Sequence, residues 1–226
     1  VALQEIKNIN AFAKLMSFLP DHDFVLSKQS SFMDQAIIYR KDVVTFLAQY
    51  EPFSFDDYYF AGRPPLMANF IWHYEERQRE FMVVNMHLKC CGDGLYRRQK
   101  SLEQLHDLLA QYIENGNENI IVVGDWNDQL TDTGLNQSFT AFLDDPDTFQ
   151  FATMEISGDT SQASYPKWIV PSILDHILYS KGFFDEQALG GKIQTLRMEE
   201  VLGSWELYEE ILSDHRPVMW TIPIPD

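Results

Sequence analysis

Five short segments of the chain carry residue types whose spacing could do chemistry. Gly124-Asp125-Trp126-Asn127 follows the apolar run Ile120-Ile121-Val122-Val123. It therefore holds a carboxylate and a carboxamide at a strand's carboxyl end, two residues apart and able to face one pocket. A plain turn uses the same residue types, so this tetrapeptide alone decides nothing. Asn85-Met86-His87-Leu88 sets an amide and an imidazole at period two on another strand end, aimed at one side of the sheet. Such a pair could grip a phosphoryl oxygen or protonate a leaving group. A lone strand histidine can equally be a hydrogen-bonded core residue.

Ser213-Asp214-His215-Arg216-Pro217-Val218 places acid and imidazole side by side just before the last strand. Backbone alternation sends them in different directions, so one could bind a cation while the other takes a proton; a surface turn ended by proline is the rival. Leu174-Asp175-His176-Ile177-Leu178 interrupts an apolar strand with acid and imidazole, and buried polar groups need partners. Glu5, after Ala2-Leu3-Gln4, is a carboxylate ending a buried strand, where a hard divalent cation would compensate its burial. A surface glutamate at a helix start is the alternative.

Arg63 lies in the stiff loop Ala61-Gly62-Arg63-Pro64-Pro65-Leu66, where its guanidinium could fork onto a phosphate or sit plainly on the surface. Arg97 and Arg98 open a long helix, where cations slightly oppose the macrodipole, and solvent is their favoured place. Trp168 and Phe183-Phe184 sit beside proline and glycine loops and read as packing devices more than as cleft walls. Cys90 and Cys91 are adjacent and are the only cysteines, so no disulfide framework exists. They could join only as a strained ring of two residues, and they make a poor metal site, because a closed one draws about four ligands. Ordinary thiols or an incidental vicinal pair are expected.

The elements that must position these groups alternate short apolar runs with polar loops and a few amphipathic helices. A strand end at Val1–Ile6 leads to a helix over Ile9–Phe18, whose Ile9, Phe12, Ala13 and Met16 share a face before Pro20. Strands follow at Asp23–Leu26, Gln35–Tyr39, Val43–Phe46, Ala68–Trp72 and Phe81–Met86, a largely antiparallel run. Arg97–Asn115 is the best helix, with Leu102, Leu105, Leu108, Leu109, Tyr112 and Ile113 in one stripe, and it feeds the strand Ile120–Val123. Later strands are expected at Ile173–Tyr179 and Pro217–Ile222.

With 226 residues, 45% of them hydrophobic, the chain suits one domain over residues 1–226 with a large core. A formal charge of -17 is opposite in sign to the footprint that holds a polyanion, so tight nonspecific DNA binding is disfavoured. No apolar run of roughly 18 residues occurs, so no membrane-spanning helix is expected. Val1-Ala2-Leu3 reads as the middle of a buried strand, so an upstream segment is expected; export to the periplasm or outside the cell stays open, with any leader in that segment. A monomer is the default.

In order and spacing, Ala-Leu-Gln-Glu5, Asn85-Met-His87-Leu, Gly-Asp125-Trp-Asn127, Leu-Asp175-His-Ile-Leu and Ser-Asp214-His215-Arg-Pro-Val together resemble the endonuclease/exonuclease/phosphatase superfamily across nearly the whole chain. The resemblance implies an α/β fold, a four-layered α/β/β/α sandwich of two mostly antiparallel sheets flanked by helices, with the site where strand ends of both sheets meet. It implies that Glu5 is the principal Mg²⁺ (or Mn²⁺) ligand, that Asp214 assists at the metal, and that His215 is the base-side histidine, oriented by Asp175. It gives Asp125 and Asn127 the attacking water, and Asn85 and His87 the phosphoryl oxygens and leaving group. The family's usual first strand, which ends in a metal-binding Asn, has no counterpart before Val1.

The activity so implied is phosphoester hydrolysis by in-line attack of water, with a histidine near neutral pKa moving the proton. The Arg-Pro-Pro-Leu loop and the motif spacing resemble the deoxyribonuclease-like branch, which makes a nuclease or phosphodiesterase the first expectation, its phosphate-ester substrate drawn from nucleic acid. A phosphatase or phosphodiesterase on a small or lipid-linked ester is the alternative, favoured by the acidic charge. A catalytically inactive binding module on the same scaffold requires lost site residues, and those at hand are of catalytic type.

Overall fold

The computed structural model describes residues 1–167 and 169–224. In chain order its first half contains β1 (Ala2–Ile6), α1 (Ile9–Ser17), β2 (His22–Leu26), β3 (Asp34–Arg40), β4 (Val44–Tyr50), β5 (Leu66–Tyr74) and β6 (Arg77–His87). Then come α2 (Leu95–Glu114), β7 (Ile120–Asp125), α3 (Thr140–Leu143), β8 (Phe149–Phe151) and β9 (Asp175–Ser180). The last part holds α4 (Phe184–Ala188), β10 (Lys192–Thr195), α5 (Glu199–Leu202), α6 (Trp205–Ile211) and β11 (Val218–Thr221).

A six-stranded sheet in the order β4-β5-β6-β7-β9-β8 forms one β layer. Its pairs are antiparallel except β6 with β7, which run parallel. A parallel pair needs a crossover, and α2 is the helix of that crossover. The second β layer comes in two pieces, β1-β3-β2 and β10-β11, not hydrogen-bonded to each other.

Period-two alternation decides what each face of the large sheet covers. Met82, Val84 and Met86 of β6 and Ile120 and Val122 of β7 pack with Leu102, Leu105, Leu109 and Ile113 of α2. On the opposite face, Phe70 of β5 and Val83 of β6 pack against Val25 and Ile37 of the three-stranded piece. Ile121, Val123, Ile177 and Tyr179 meet Ile193, Val218 and Trp220 of the two-stranded piece. Phe12 of α1 covers the outer side of the small sheet with Ala36 and Ile38. Helix, sheet, sheet and helix thus stack as the four expected layers. No helix among the described residues is long and apolar enough to cross a membrane.

Candidate active site

The face of the large sheet that lies between the two β layers is apolar until its strands end. On β6 the alternation runs Val83, Asn85, His87; on β7 it runs Ile121, Val123, Asp125; on β9, from the other direction, Tyr179, Ile177, Asp175. The register aligns these polar ends, His87 beside Asp125 and Asp125 beside Asp175. Three neighbouring strands therefore deliver three titratable groups in one row. His176, one residue from Asp175, points to the other face, where its ring nitrogens meet Thr153 Oγ1 at 3.1 Å and the Asp128 carbonyl at 2.9 Å.

Asp125 is held by its own turn. Asn127, at φ 55, donates its backbone N–H to Asp125 Oδ1 at 2.9 Å and its amide to Oδ2 at 2.8 Å. Asparagine tolerates the left-handed region and favours such turns, which explains its place in the motif. Gly124 is required by a close approach: at φ 139, a Cβ there would lie 1.9 Å from the Met86 carbonyl oxygen. Trp126 turns to the α2 side, buried, with Nε1 donating to the His176 carbonyl at 3.0 Å. Burial first, and then the charge of Asp175, push the Asp125 carboxyl up to about 7.

His215, from the turn before β11, completes the row. Its Nδ1 lies 2.7 Å from Asp175 Oδ2. Burial opposes the charged ring, but the Asp175 hydrogen bond, with the charges of Asp175, Asp125 and Asp214, outweighs it and raises the pKa to about 9. In the metal-free chain this lies above the near-neutral value expected from sequence. The Tyr165 ring sits 4.9 Å from the imidazole, Tyr208 donates to the His215 carbonyl at 2.7 Å, and Ser164 Oγ accepts the Asp175 N–H at 3.2 Å. These three supports carry no motif in the sequence.

His87 is 4% exposed, with Nε2 3.4 Å from Asp125 and 3.9 Å from Glu5. Burial, aided by Arg63, lowers its pKa to about 4, so the ring is neutral. Its Nδ1 is buried without a partner among the described residues, and Nε2 is the nitrogen that faces the carboxylates. Glu5 sits at φ 58 where β1 bulges against β3, and Oε2 is 3.0 Å from Lys7. Partial burial works against its charge, but the Lys7 hydrogen bond, with the charges of Lys7 and Arg63, outweighs that and keeps its pKa below the usual range.

Two expected substrate contacts are taken up inside the protein. Asn85 donates to the carbonyls of Leu3 at 2.9 Å and Ala36 at 3.0 Å and accepts from Gln4 at 2.7 Å, tying the β layers together beneath the site. Both its amide hydrogens are committed to these carbonyls, and the side chain is buried. Arg63 is 6% exposed and donates Nε to the His87 carbonyl at 3.1 Å and Nη2 to the Leu88 carbonyl at 2.9 Å. The fork expected to grip phosphate braces the end of β6 instead. Arg98, expected in solvent, is buried, pairs with Asp128 at 2.9 Å and donates to the carbonyls of Lys89 and Cys91. Asp128, directly after the Asp-Trp-Asn motif, was not singled out in the sequence; a second acid there was the available signal. Phe183 and Phe184 pack in the core, as expected, while Trp168 lies outside the described residues.

Asp125, Asp175 and His215 each offer a ligand atom, all within 4.8 Å of one another. Two facing carboxylates, one buried enough to resist ionisation, suit a hard cation. The expected pair of metal ligands is not gathered that closely: Glu5 stands at the rim beside His87, and the Asp214 carboxylate is 3.9 Å from Lys167. Asp214 and His215 are neighbours in the bend before β11, and His215 is the one whose ring meets Asp175. The cluster's groups are of types that can accept and deliver protons and offer oxygens to a cation at one place.

The fold has known counterparts. D. rerio TDP2 complexed with single strand DNA product superposes with a TM-score of 0.65 at 18% identity, over 99% of this chain and 85% of that one. The mannosyl-6-phosphatase of Bacteroides thetaiotaomicron gives 0.64 at 17%, over 99% and 84%. The human Nocturnin catalytic domain with bound sulfate gives 0.62 at 17%, over 97% and 80%. At such identities the likeness is one of fold. No curated protein matches the sequence. The model of the Endonuclease/Exonuclease/phosphatase family matches residues 1–215, and the chain belongs to that family.

Proposed function

We propose that the chain is a divalent-metal-dependent phosphoester hydrolase, using Mg²⁺ or Mn²⁺, in which water attacks phosphorus in line. The observation that carries this is the meeting of Asp125, Asp175 and His215 within 4.8 Å from three separate parts of the chain. Asp125 and Asp175 offer the oxygens for the cation, with Glu5 at the rim. The cation's chemistry is to neutralise charge on the phosphoryl oxygens and to offset the facing carboxylates. Asp175 holds His215 for proton transfer at its ring, Asn127 fixes Asp125 toward the water, and neutral His87 faces the leaving oxygen.

For the substrate, a small phosphate ester is favoured over a nucleic-acid backbone. The chain carries a charge of -17, and the buried Arg63 and Arg98 are spent on backbone carbonyls and Asp128. A polyanion would find little to replace its counterions. The nuclease reading is supported by the likeness in fold to a TDP2 that holds a DNA product. A panel of sugar phosphates, phospholipids, DNA and RNA, assayed with Mg²⁺ or Mn²⁺ and again with chelator, tests both. Chelator-sensitive release of phosphate from a small ester supports the first reading, and cleavage of DNA or RNA alone supports the second. Binding of a partner protein with every ester untouched would remove the catalytic reading.

A further inference from the structure

We propose that Cys90 and Cys91 are a vicinal dithiol that closes reversibly to a disulfide ring, a modification site on the segment that leaves β6 beside the active site. Adjacent residues of an extended chain point to opposite sides, so neighbouring thiols normally diverge. Here Cys91 adopts φ 71 and ψ 172, and the two Sγ atoms come within 2.8 Å. A positive φ is costly for a residue with a Cβ and persists only where the surroundings enforce it.

The surroundings do so. The Cys91 carbonyl accepts from Gly94 N at 3.0 Å and from Arg98 Nη1 at 2.9 Å, and the same Nη1 donates to the Lys89 carbonyl at 2.8 Å. Arg98 is itself fixed by Asp128. Gly94 is needed for this clamp, because a Cβ there would meet the Lys89 carbonyl oxygen at 2.6 Å. Just upstream, Arg63 and Asn127 hold the carbonyls of His87 and Leu88. The thiols are thus presented to each other by a braced backbone. Cys91 is exposed and Cys90 half-buried, so a small oxidant can reach them.

The oxidant is a low-molecular-weight disulfide. One cysteine thiolate attacks it and releases one small thiol, leaving a mixed disulfide. The neighbouring thiolate then displaces the second small thiol and forms the S–S bond, so two electrons pass to the oxidant, whose two sulfurs leave as thiols. Adjacent Cα atoms are closer than in ordinary disulfides, so the ring is strained and readily reduced.

The test incubates the folded chain with oxidised glutathione, then alkylates with iodoacetamide and measures intact mass. Because the chain has two cysteines only, any internal disulfide is this one. The expected product is a monomer two hydrogens lighter, with loss of both titratable thiols and full recovery on adding dithiothreitol. Persistent glutathione adducts, a disulfide-linked dimer, or two alkylated cysteines after the incubation would each overturn the proposal.

Discussion

Asp175 Oδ2 and His215 Nδ1, which lie 40 residues apart in sequence, meet at 2.7 Å, and the same Asp175 stands opposite Asp125 across β7 and β9. One carboxylate therefore bears on the charge state of two neighbours, an imidazole and a second carboxylate. It keeps the imidazole protonated and, by like charge, resists ionisation of Asp125.

Replacing Asp175 by Asn removes that control. In the metal-free chain the His215 midpoint, raised to about 9, is expected to fall toward its ordinary value of about 6.5. A raised histidine pKa means a stabilising contribution that is complete below about 6.5 and lost as pH rises through about 9. The wild-type Tm should decline across that window and the Asp175→Asn Tm much less. Imidazole NMR titration checks the first point and melting curves the second; an unmoved midpoint refutes both.

His176 predicts the opposite slope at acid pH. Burial lowers its pKa to about 4, so the folded state resists a proton that the unfolded chain accepts at about 6.5. Its contribution is present above about 6.5 and is lost as pH falls through about 4. Urea unfolding between these limits should show falling stability, and His176→Gln should flatten that dependence relative to wild type.

Gly124→Ala tests the close contact of β6 and β7. The added Cβ meets a backbone oxygen, which cannot rotate away, and φ 139 disfavours any side chain. A loss on the order of 2–4 kcal/mol in denaturant unfolding is expected. A change under about 0.5 kcal/mol, the range of ordinary surface substitutions, would show that the strands separate freely.

Arg98 and Arg97 are neighbours with different tasks. Arg98→Ala strands the buried Asp128 carboxylate and should cost about 3–5 kcal/mol. Arg97 stacks on Tyr58 and donates to its carbonyl nearer the surface, so Arg97→Ala should cost less than about 1 kcal/mol. Chemical denaturation of the two variants side by side decides the ranking.

The longer elements were legible because their periodicity is strong: the α2 stripe from Leu102 to Ile113 and the alternation in β6 and β9 point where the structure places them. The short strands β8 and β10, of three and four residues, are too brief to carry a pattern. Alternation also separates the inward Asp175 from the outward His176 in β9. Which buried arginines face protein and which face substrate was not legible, because a guanidinium satisfies carbonyls and phosphates with the same hydrogens. Arg63 and Arg98 found carbonyls. The supports of His215, Tyr165 and Tyr208, come from segments whose approach depends on the tertiary fold alone.

The most direct test of the catalytic cluster is the steady-state hydrolysis of a chromogenic phosphate ester by the wild type and by His215→Ala, with Mg²⁺ in excess. Loss of proton transfer should lower kcat by roughly 10²–10⁴ while circular dichroism stays unchanged. Equal turnover by the two proteins would contradict the assignment of the Asp125, Asp175 and His215 cluster as the reacting centre.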